Sequence, residues 1–219
     1  MSDFRDRINN LTPKRLALLA LELHDQVEAM RERAHEPIAV VGVACRFPGA
    51  NDIESFWELL RNGLDAIGEV PKNRWDIDAY FDPDPDVPAH MAVRAGGFLA
   101  DVAGFDAGFF GIAPREVLSM DPQQRLLLEV TWEALEHAGI AAERLSGSST
   151  GVFVGICSND HFQRVLHRGG ELIDAYVASG HALSVAAGRI SYCLGLQGPA
   201  LSIDTACSSS LAARASASA

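Results

Sequence analysis

Three short runs rich in β-branched and apolar residues, separated by stretches of helical periodicity, constrain this 219-residue chain more than any other feature. They are Ile38-Ala39-Val40-Val41-Gly42-Val43, Thr150-Gly151-Val152-Phe153-Val154-Gly155-Ile156 and Ala200-Leu201-Ser202-Ile203. Runs without polar alternation suit strands covered on both faces. Strands alternating with helices give an α/β layered fold.

The helical signals are specific in places. Asp121 is placed as an N-cap, Pro122 occupies the first helical position, and Gln124 takes the capping-box place. Leu126, Leu127, Val130, Ala134, Leu135 and Ala138 then form a core stripe that stops at Gly139. Asn51 and Glu54 are spaced as a capping box for a helix from Ile53 to Arg61, ended by Gly63. Further helices are expected over about 160–168, 171–178 and 182–194. Residues 64–113 read as irregular, because Asp82-Pro83-Asp84-Pro85-Asp86-Val87-Pro88 sustains neither a helix nor a central strand. A loop region that long is usually functional or wraps another subunit.

Residues 12–34 read as one helix, with Thr12 capping and Pro13 at the first position. Leu16, Ala20, Leu23, Val27, Met30 and Ala34 alternate spacings of four and three, the seam of a short coiled coil. An amphipathic helix packed on its own domain fits the same pattern, and both readings stay open. Glu36-Pro37 closes the segment.

Composition excludes several function classes. Eighteen basic against 29 acidic residues give a net charge of −11, which disfavours sequence-independent nucleic-acid binding. No apolar run reaches the roughly 18–20 residues that span a bilayer. Met1-Ser2-Asp3-Phe4-Arg5-Asp6-Arg7 lacks the apolar core of a secretory signal. Cys45, Cys157, Cys193 and Cys207 are scattered without a C-x-x-C pair, so neither a zinc site nor a disulfide framework is expected. Reduced thiols and a cytoplasmic location follow.

The chemically telling residue is Cys207, in Ile203-Asp204-Thr205-Ala206-Cys207-Ser208-Ser209-Ser210-Leu211. A strand runs into it and small residues follow, the pattern of a strand-to-helix turn that presents a thiol at a helix start. Amide groups and the helix dipole there favour thiolate over thiol. Cys45, Cys157 and Cys193 read instead as small core residues. Asp204, Thr205 and Ser208 to Ser210 read as shapers of the turn. Arg189 and Arg125 each follow an apolar stretch and suit structural hydrogen bonding better than phosphate binding. No phosphate-cradling glycine loop is present. His161 and His167 are six apart, which does not place them on one helix face as a metal pair.

Four segments together resemble the ketosynthase (β-ketoacyl synthase) domain of modular type I polyketide synthases. The first is Pro37-Ile38-Ala39-Val40-Val41-Gly42 with Cys45-Arg46-Phe47-Pro48-Gly49. The second is Phe109-Phe110-Gly111-Ile112-Ala113-Pro114-Arg115-Glu116 with Met120-Asp121-Pro122-Gln123-Gln124-Arg125-Leu126-Leu127-Leu128-Glu129. The third is Ser184-Val185-Ala186-Ala187-Gly188-Arg189-Ile190-Ser191-Tyr192 with Leu194-Gly195-Leu196-Gln197-Gly198-Pro199, and the fourth Asp204-Thr205-Ala206-Cys207-Ser208-Ser209-Ser210-Leu211.

The resemblance covers residues 37–211. It implies a thiolase-like α/β fold, of which this chain holds the first of two similar halves. Residues 1–36 then correspond to a helical linker or docking segment that could engage an upstream synthase subunit, and 212–219 to a low-complexity tail. It implies that Cys207 is the catalytic residue, accepting an acyl group from the phosphopantetheine arm of an acyl carrier protein. No cofactor or metal would be bound by the segment itself, and the complete domain would be a homodimer. The family's two catalytic histidines lie in later motifs absent here. His24, His35, His90, His137, His161, His167 and His181 stand in other contexts, and position 181 often holds Asn in related sequences. Two functions follow. One is the N-terminal portion of a condensing acyltransferase, inactive in condensation by itself. The other is a non-catalytic remnant or interaction module acting through its N-terminal helix.

Overall fold

The computed structural model describes residues 11–34, 37–167 and 173–218. The chain divides into two units, residues 1–39 with 218–219, and residues 40–217. In the first unit a 22-residue helix, α1 (Pro13–Ala34), begins as the sequence predicts. The Thr12 hydroxyl accepts from the Arg15 amide at 3.4 Å. Leu16, Leu23, Val27 and Met30 are all exposed along it.

In the second unit the elements run α2 (Ile53–Asn62), β1 (Ile67–Glu69), β2 (Ala95–Gly97), α3 (Pro114–Leu118) and α4 (Pro122–His137). They continue with β3 (Val152–Gly155), α5 (Asp160–His167), α6 (Val177–His181), α7 (Leu183–Leu194), β4 (Ala200–Ile203) and α8 (Ser209–Ala217). Strands β3 and β4 are parallel, with Val152 opposite Ala200 and Gly155 opposite Ile203. Strand alternation gives this small sheet two different faces. Val152, Val154 and Ile156 point into a core with Leu127 and Leu128 of α4 and Ala186, Ala187 and Ile190 of α7, closed by Met120 and Ile112. Burying a side chain of this size stabilises by about 1.5–3 kcal/mol. Gly155 points the other way, beneath the first turn of α8.

Several expectations are revised. Residues 38–43 hold no strand among the described residues, and Ile38, Val40, Val41 and Val43 are exposed. Instead Gly42 lies so close to α4 that a Cβ there would come within 2.3 Å of the Ala134 carbonyl oxygen. The Val43 amide donates to His137 Nδ1 at 3.3 Å. Apolar β-branched composition makes a run strand-prone, but a ladder partner has to be present for a strand to form.

The cap of α2 is Asp52 with Ser55, not Asn51 with Glu54: the Asp52 carboxylate accepts from the Ser55 amide at 2.8 Å. The Asn51 carbonyl is held by Arg46 at 2.6 Å. Gly63 ends the helix at φ 62°, as expected. Gln124 is not a capping-box partner either. It is buried, donating to the Ser179 carbonyl at 3.2 Å and accepting from Arg189 Nε at 2.8 Å.

Residues 64–113 are not wholly irregular. β1 and β2 pair antiparallel across a 25-residue connection, and their Gly-rich composition hid them. The Phe105 and Phe110 rings stack at 5.3 Å, and Phe109 meets Trp132 of α4 edge-on at 4.7 Å. Helix α6 begins at Val177, so of the expected 171–178 helix residues 177–178 are helical and 173–176 are not, while 171–172 lie outside the described residues. Residues 212–217 are helical in α8, with Ala213 buried.

Candidate active site

β4 ends at Ile203, and the five residues after it form a tightly tied turn. The Asp204 carboxylate accepts from the Ala206 amide at 2.9 Å. The Ser209 hydroxyl accepts from the Thr205 amide at 2.9 Å and donates to the Ala206 carbonyl at 2.7 Å. The Ser208 hydroxyl lies 2.8 Å from the Thr205 carbonyl. These bonds hold Ala206 at φ +54°, a left-handed conformation that costs a non-glycine residue about 1–2 kcal/mol. Short polar side chains are what such a turn needs, because they reach backbone groups two to four residues away.

Cys207 is the middle residue of the 3-10 turn Ala206–Ser208, which leads directly into α8, and it is exposed. Its seat is fixed from below by Gly155. A Cβ on Gly155 would come within 2.7 Å of Ser209 C and Ser210 N. The helix start therefore rests directly on the last residue of β3. Sequence reasoning placed Cys207 at this turn and assigned its neighbours to shaping it. It did not find the strain at Ala206 or the seat at Gly155, since neither residue type carries a local signal.

The other thiols divide. Cys45 and Cys193 are half-buried, and burial pushes both thiols up from their ordinary pKa. Cys157 is exposed, contrary to its reading as a core residue, because it lies past the end of β3 where the strand has left the core. Arg189 is structural. It pairs with Glu116 at 2.5 Å and donates to Gln124, almost wholly shielded from solvent. Arg125 donates to the Ala103 carbonyl at 3.2 Å, while its Nε is buried without a hydrogen-bond partner. Burial lowers its pKa against the opposing charges of Asp121, Asp101 and Glu129. Arg46 forms a two-pronged pair with Glu133 and binds the Cys45 and Asn51 carbonyls, tying the loop after residue 43 to α4.

No described histidine hydrogen-bonds within the Cys207 turn. His167 Nδ1 meets the Gln163 carbonyl at 2.7 Å and His90 Nδ1 the Pro88 carbonyl at 3.0 Å. His161 and His181 pair with each other at 3.0 Å, a contact the sequence did not reveal. His35 lies outside the described residues. Among the described residues no three His, Cys, Asp or Glu side chains converge as a metal site.

Residues 35–219 match the family model for the beta-ketoacyl synthase N-terminal domain. The chain is 51% identical over 214 residues to one of the phenolphthiocerol/phthiocerol polyketide synthase subunits of Mycobacterium tuberculosis, covering 97% of this chain and 12% of that protein. It is 53% identical over 208 residues to another of these subunits from the same organism, covering 94% and 13% respectively. It thus spans about an eighth of these relatives' length. An oxazolomycin ketosynthase domain from Streptomyces albus superposes with a TM-score of 0.74 at 40% identity, over 81% of this chain and 31% of that one. The ketosynthase from module 6 of the Bacillus subtilis bacillaene synthase gives 0.70 at 38% identity, over 82% and 28%. The α/β arrangement around β3 and β4 is therefore thiolase-like, and the chain belongs to the β-ketoacyl synthase family of polyketide synthases, an acyltransferase family whose N-terminal domain it carries.

Proposed function

We propose that the chain supplies the acyl-accepting part of a polyketide synthase ketosynthase, with Cys207 as the nucleophile. The observation that carries this reading is an exposed thiol on a strained, side-chain-locked turn between β4 and α8. Strain of this kind is kept where the surrounding structure over-determines it, and such places are commonly functional.

Acylation begins when Cys207 Sγ attacks the thioester carbonyl of an acyl chain carried on the phosphopantetheine arm of an acyl carrier protein. The carbonyl electrons move onto oxygen, where the Cys207 backbone N–H is one available donor. Collapse expels the phosphopantetheine thiol, which leaves with a proton. In condensation, a malonyl-type extender on a second carrier loses carbon dioxide, and the resulting carbanion attacks the Cys207 thioester. The Cys207 thiolate leaves, and the product is a β-ketoacyl chain two backbone carbons longer. Decarboxylation and enolate stabilisation call for imidazoles. These belong to family motifs outside the 219 residues, so the step assigned to this segment's own residues is acylation of Cys207.

Residues 1–36 serve as a helical linker or docking segment for an upstream synthase subunit, a role that the exposed seam Leu16, Leu23, Val27 and Met30 supports. The complete domain is a homodimer. In support, β4 pairs with a strand on one side alone among the described residues, and Leu201 on it is exposed. No helix among the described residues is long and apolar enough to cross a membrane. The four free thiols suit the reducing cytoplasm.

The test is acylation followed by intact and peptide mass spectrometry. The chain, alone or mixed with a separately expressed C-terminal half, is incubated with an acyl-pantetheine thioester. An acyl mass on the Cys207 peptide, absent in Cys207→Ala, is expected. Absence of that mass under both conditions would overturn the proposal and favour a non-catalytic module.

A further inference from the structure

Helix α5 grows out of the end of β3, at the same sheet edge as the Cys207 turn, because β3 and β4 run parallel. Its approach is tied by Gln123 Nε2, which donates to the Ser158 carbonyl at 3.0 Å. Further along, two imidazoles bind it to α6. His181 is buried, and its Nδ1 lies 2.9 Å from the Val177 carbonyl. A carbonyl only accepts, so Nδ1 carries hydrogen and the neutral ring offers a lone pair at Nε2. That atom lies 3.0 Å from His161 Nδ1, which donates to it. The rings are nearly parallel, 14° apart with centroids at 5.1 Å, and the Phe162 ring lies 5.2 Å from the His181 ring.

This geometry counts protons. With both rings neutral the N–H···N bond is made, and one extra proton leaves it intact as a charge-assisted bond. A second extra proton removes the acceptor, turns two N–H groups on each other and stacks two cations. Surrounding charges do not rescue that state. Asp121, at the start of α4, is the acid whose charge favours a proton on His161, and its carboxylate already accepts from the Gln123 amide at 2.8 Å. Arg125 of α4 and Arg164 of α5 oppose one. Beside His181, Arg115 and Asp174 line a cavity of about 270 Å³ with Leu118, Ser119 and Val165 of α5. Asp174 Oδ1 accepts from the Ser119 hydroxyl at 3.0 Å and the Tyr176 amide at 2.9 Å, and Oδ2 faces Arg115 Nε at 3.6 Å. Burial lowers the pKa of His161, with Asp121 partly offsetting it.

We propose that the His161–His181 pair is an acid-released latch, holding α5 on α6 while the pair carries at most one extra proton and freeing α5 when a second arrives. The latch is independent of the acylation chemistry of Cys207. The test is hydrogen–deuterium exchange by mass spectrometry on the full chain from pH of about 7 down to about 4, corrected for intrinsic exchange rates, because burial and the first cation both hold the second proton off until below the ordinary imidazole range. Peptides covering Asp160–His167 should lose protection by about tenfold on acidification, the scale of losing one buried hydrogen bond to a charged group. Peptides of α7 around Ala186–Ile190 should keep theirs. His181→Asn, which cannot titrate, should abolish the pH dependence in α5. Flat α5 protection, a loss shared equally by α7, or a dependence surviving in His181→Asn would each overturn the latch. Imidazole NMR of the unsubstituted chain needs no variant. A His161–His181 N–H···N coupling that disappears on acidification together with α5 protection is expected, and a coupling that persists after that protection is lost would also overturn the proposal.

Discussion

Gly155→Ala is the sharpest perturbation of the Cys207 seat. In open space the change stabilises, because alanine has less unfolded-state freedom to lose, by about 0.4–1 kcal/mol. Here the added Cβ would sit 2.7 Å from Ser209 C and Ser210 N and 2.9 Å from Ser209 O. All three are backbone atoms of the first turn of α8, so no side-chain rotation relieves the contact. To restore ordinary packing at roughly 3.5–4.0 Å, α8 and the turn must lift from β3 by about 1 Å. Overpacking that shifts backbone costs about 1–3 kcal/mol, which exceeds the entropic gain. Gly188 is the internal control. It lies inside α7, and a methyl group added there would meet nothing within 4 Å, so Gly188→Ala should stabilise by about 0.5–1 kcal/mol. Urea unfolding of both variants, read as the midpoint at unchanged slope, measures the difference. Iodoacetamide labelling of Cys207 in Gly155→Ala reports whether the turn has moved. If Gly155→Ala is as stabilising as Gly188→Ala, α8 does not rest on β3 and Cys207 has no such seat.

Two further outcomes are expected. Iodoacetamide should label Cys207 and Cys157 well before Cys45 and Cys193, since the first two are exposed and burial raises the latter two thiols; time-resolved peptide mass spectrometry checks the order, and equal labelling of all four would mean the core around Cys193 is not formed. Glu129 is held above its ordinary pKa, first by burial and then by Glu133 and Asp101, with Arg46 and Arg125 opposing. A carboxyl raised on folding contributes stability present below its unfolded pKa and lost as pH rises through the folded one. Glu129→Gln should therefore raise the thermal midpoint at pH 7, with the gain vanishing below pH of about 4; an unchanged midpoint at pH 7 would contradict the burial of that carboxylate.

Local chemistry made much of this protein legible. Asp121-Pro122 starts α4, Gly63 and Gly139 end helices at positive φ, and β4 has the bounds read from Ala200-Leu201-Ser202-Ile203. These signals act within a few residues, so sequence carries them. The run Ile38 to Val43 shows the limit. Its composition is that of a strand, but pairing is a contact between distant segments, and here no described segment pairs with it. Gln124 shows the same limit from the polar side: its spacing suits a cap, yet Arg189 and Ser179, brought in from 65 and 55 residues away, claim it.

Sequence by itself determined the strand–turn–helix order around Cys207 and the short polar residues that tie it. Tertiary structure alone decided that β3 would place a residue without a Cβ under Ser209 and Ser210. It also decided that Cys157 would stand outside the core, and that His161 would meet His181 across 20 residues. The physical reason is range. Capping and turn bonds reach two to four residues along the chain, whereas close backbone approach, burial and imidazole pairing are set by which elements pack together.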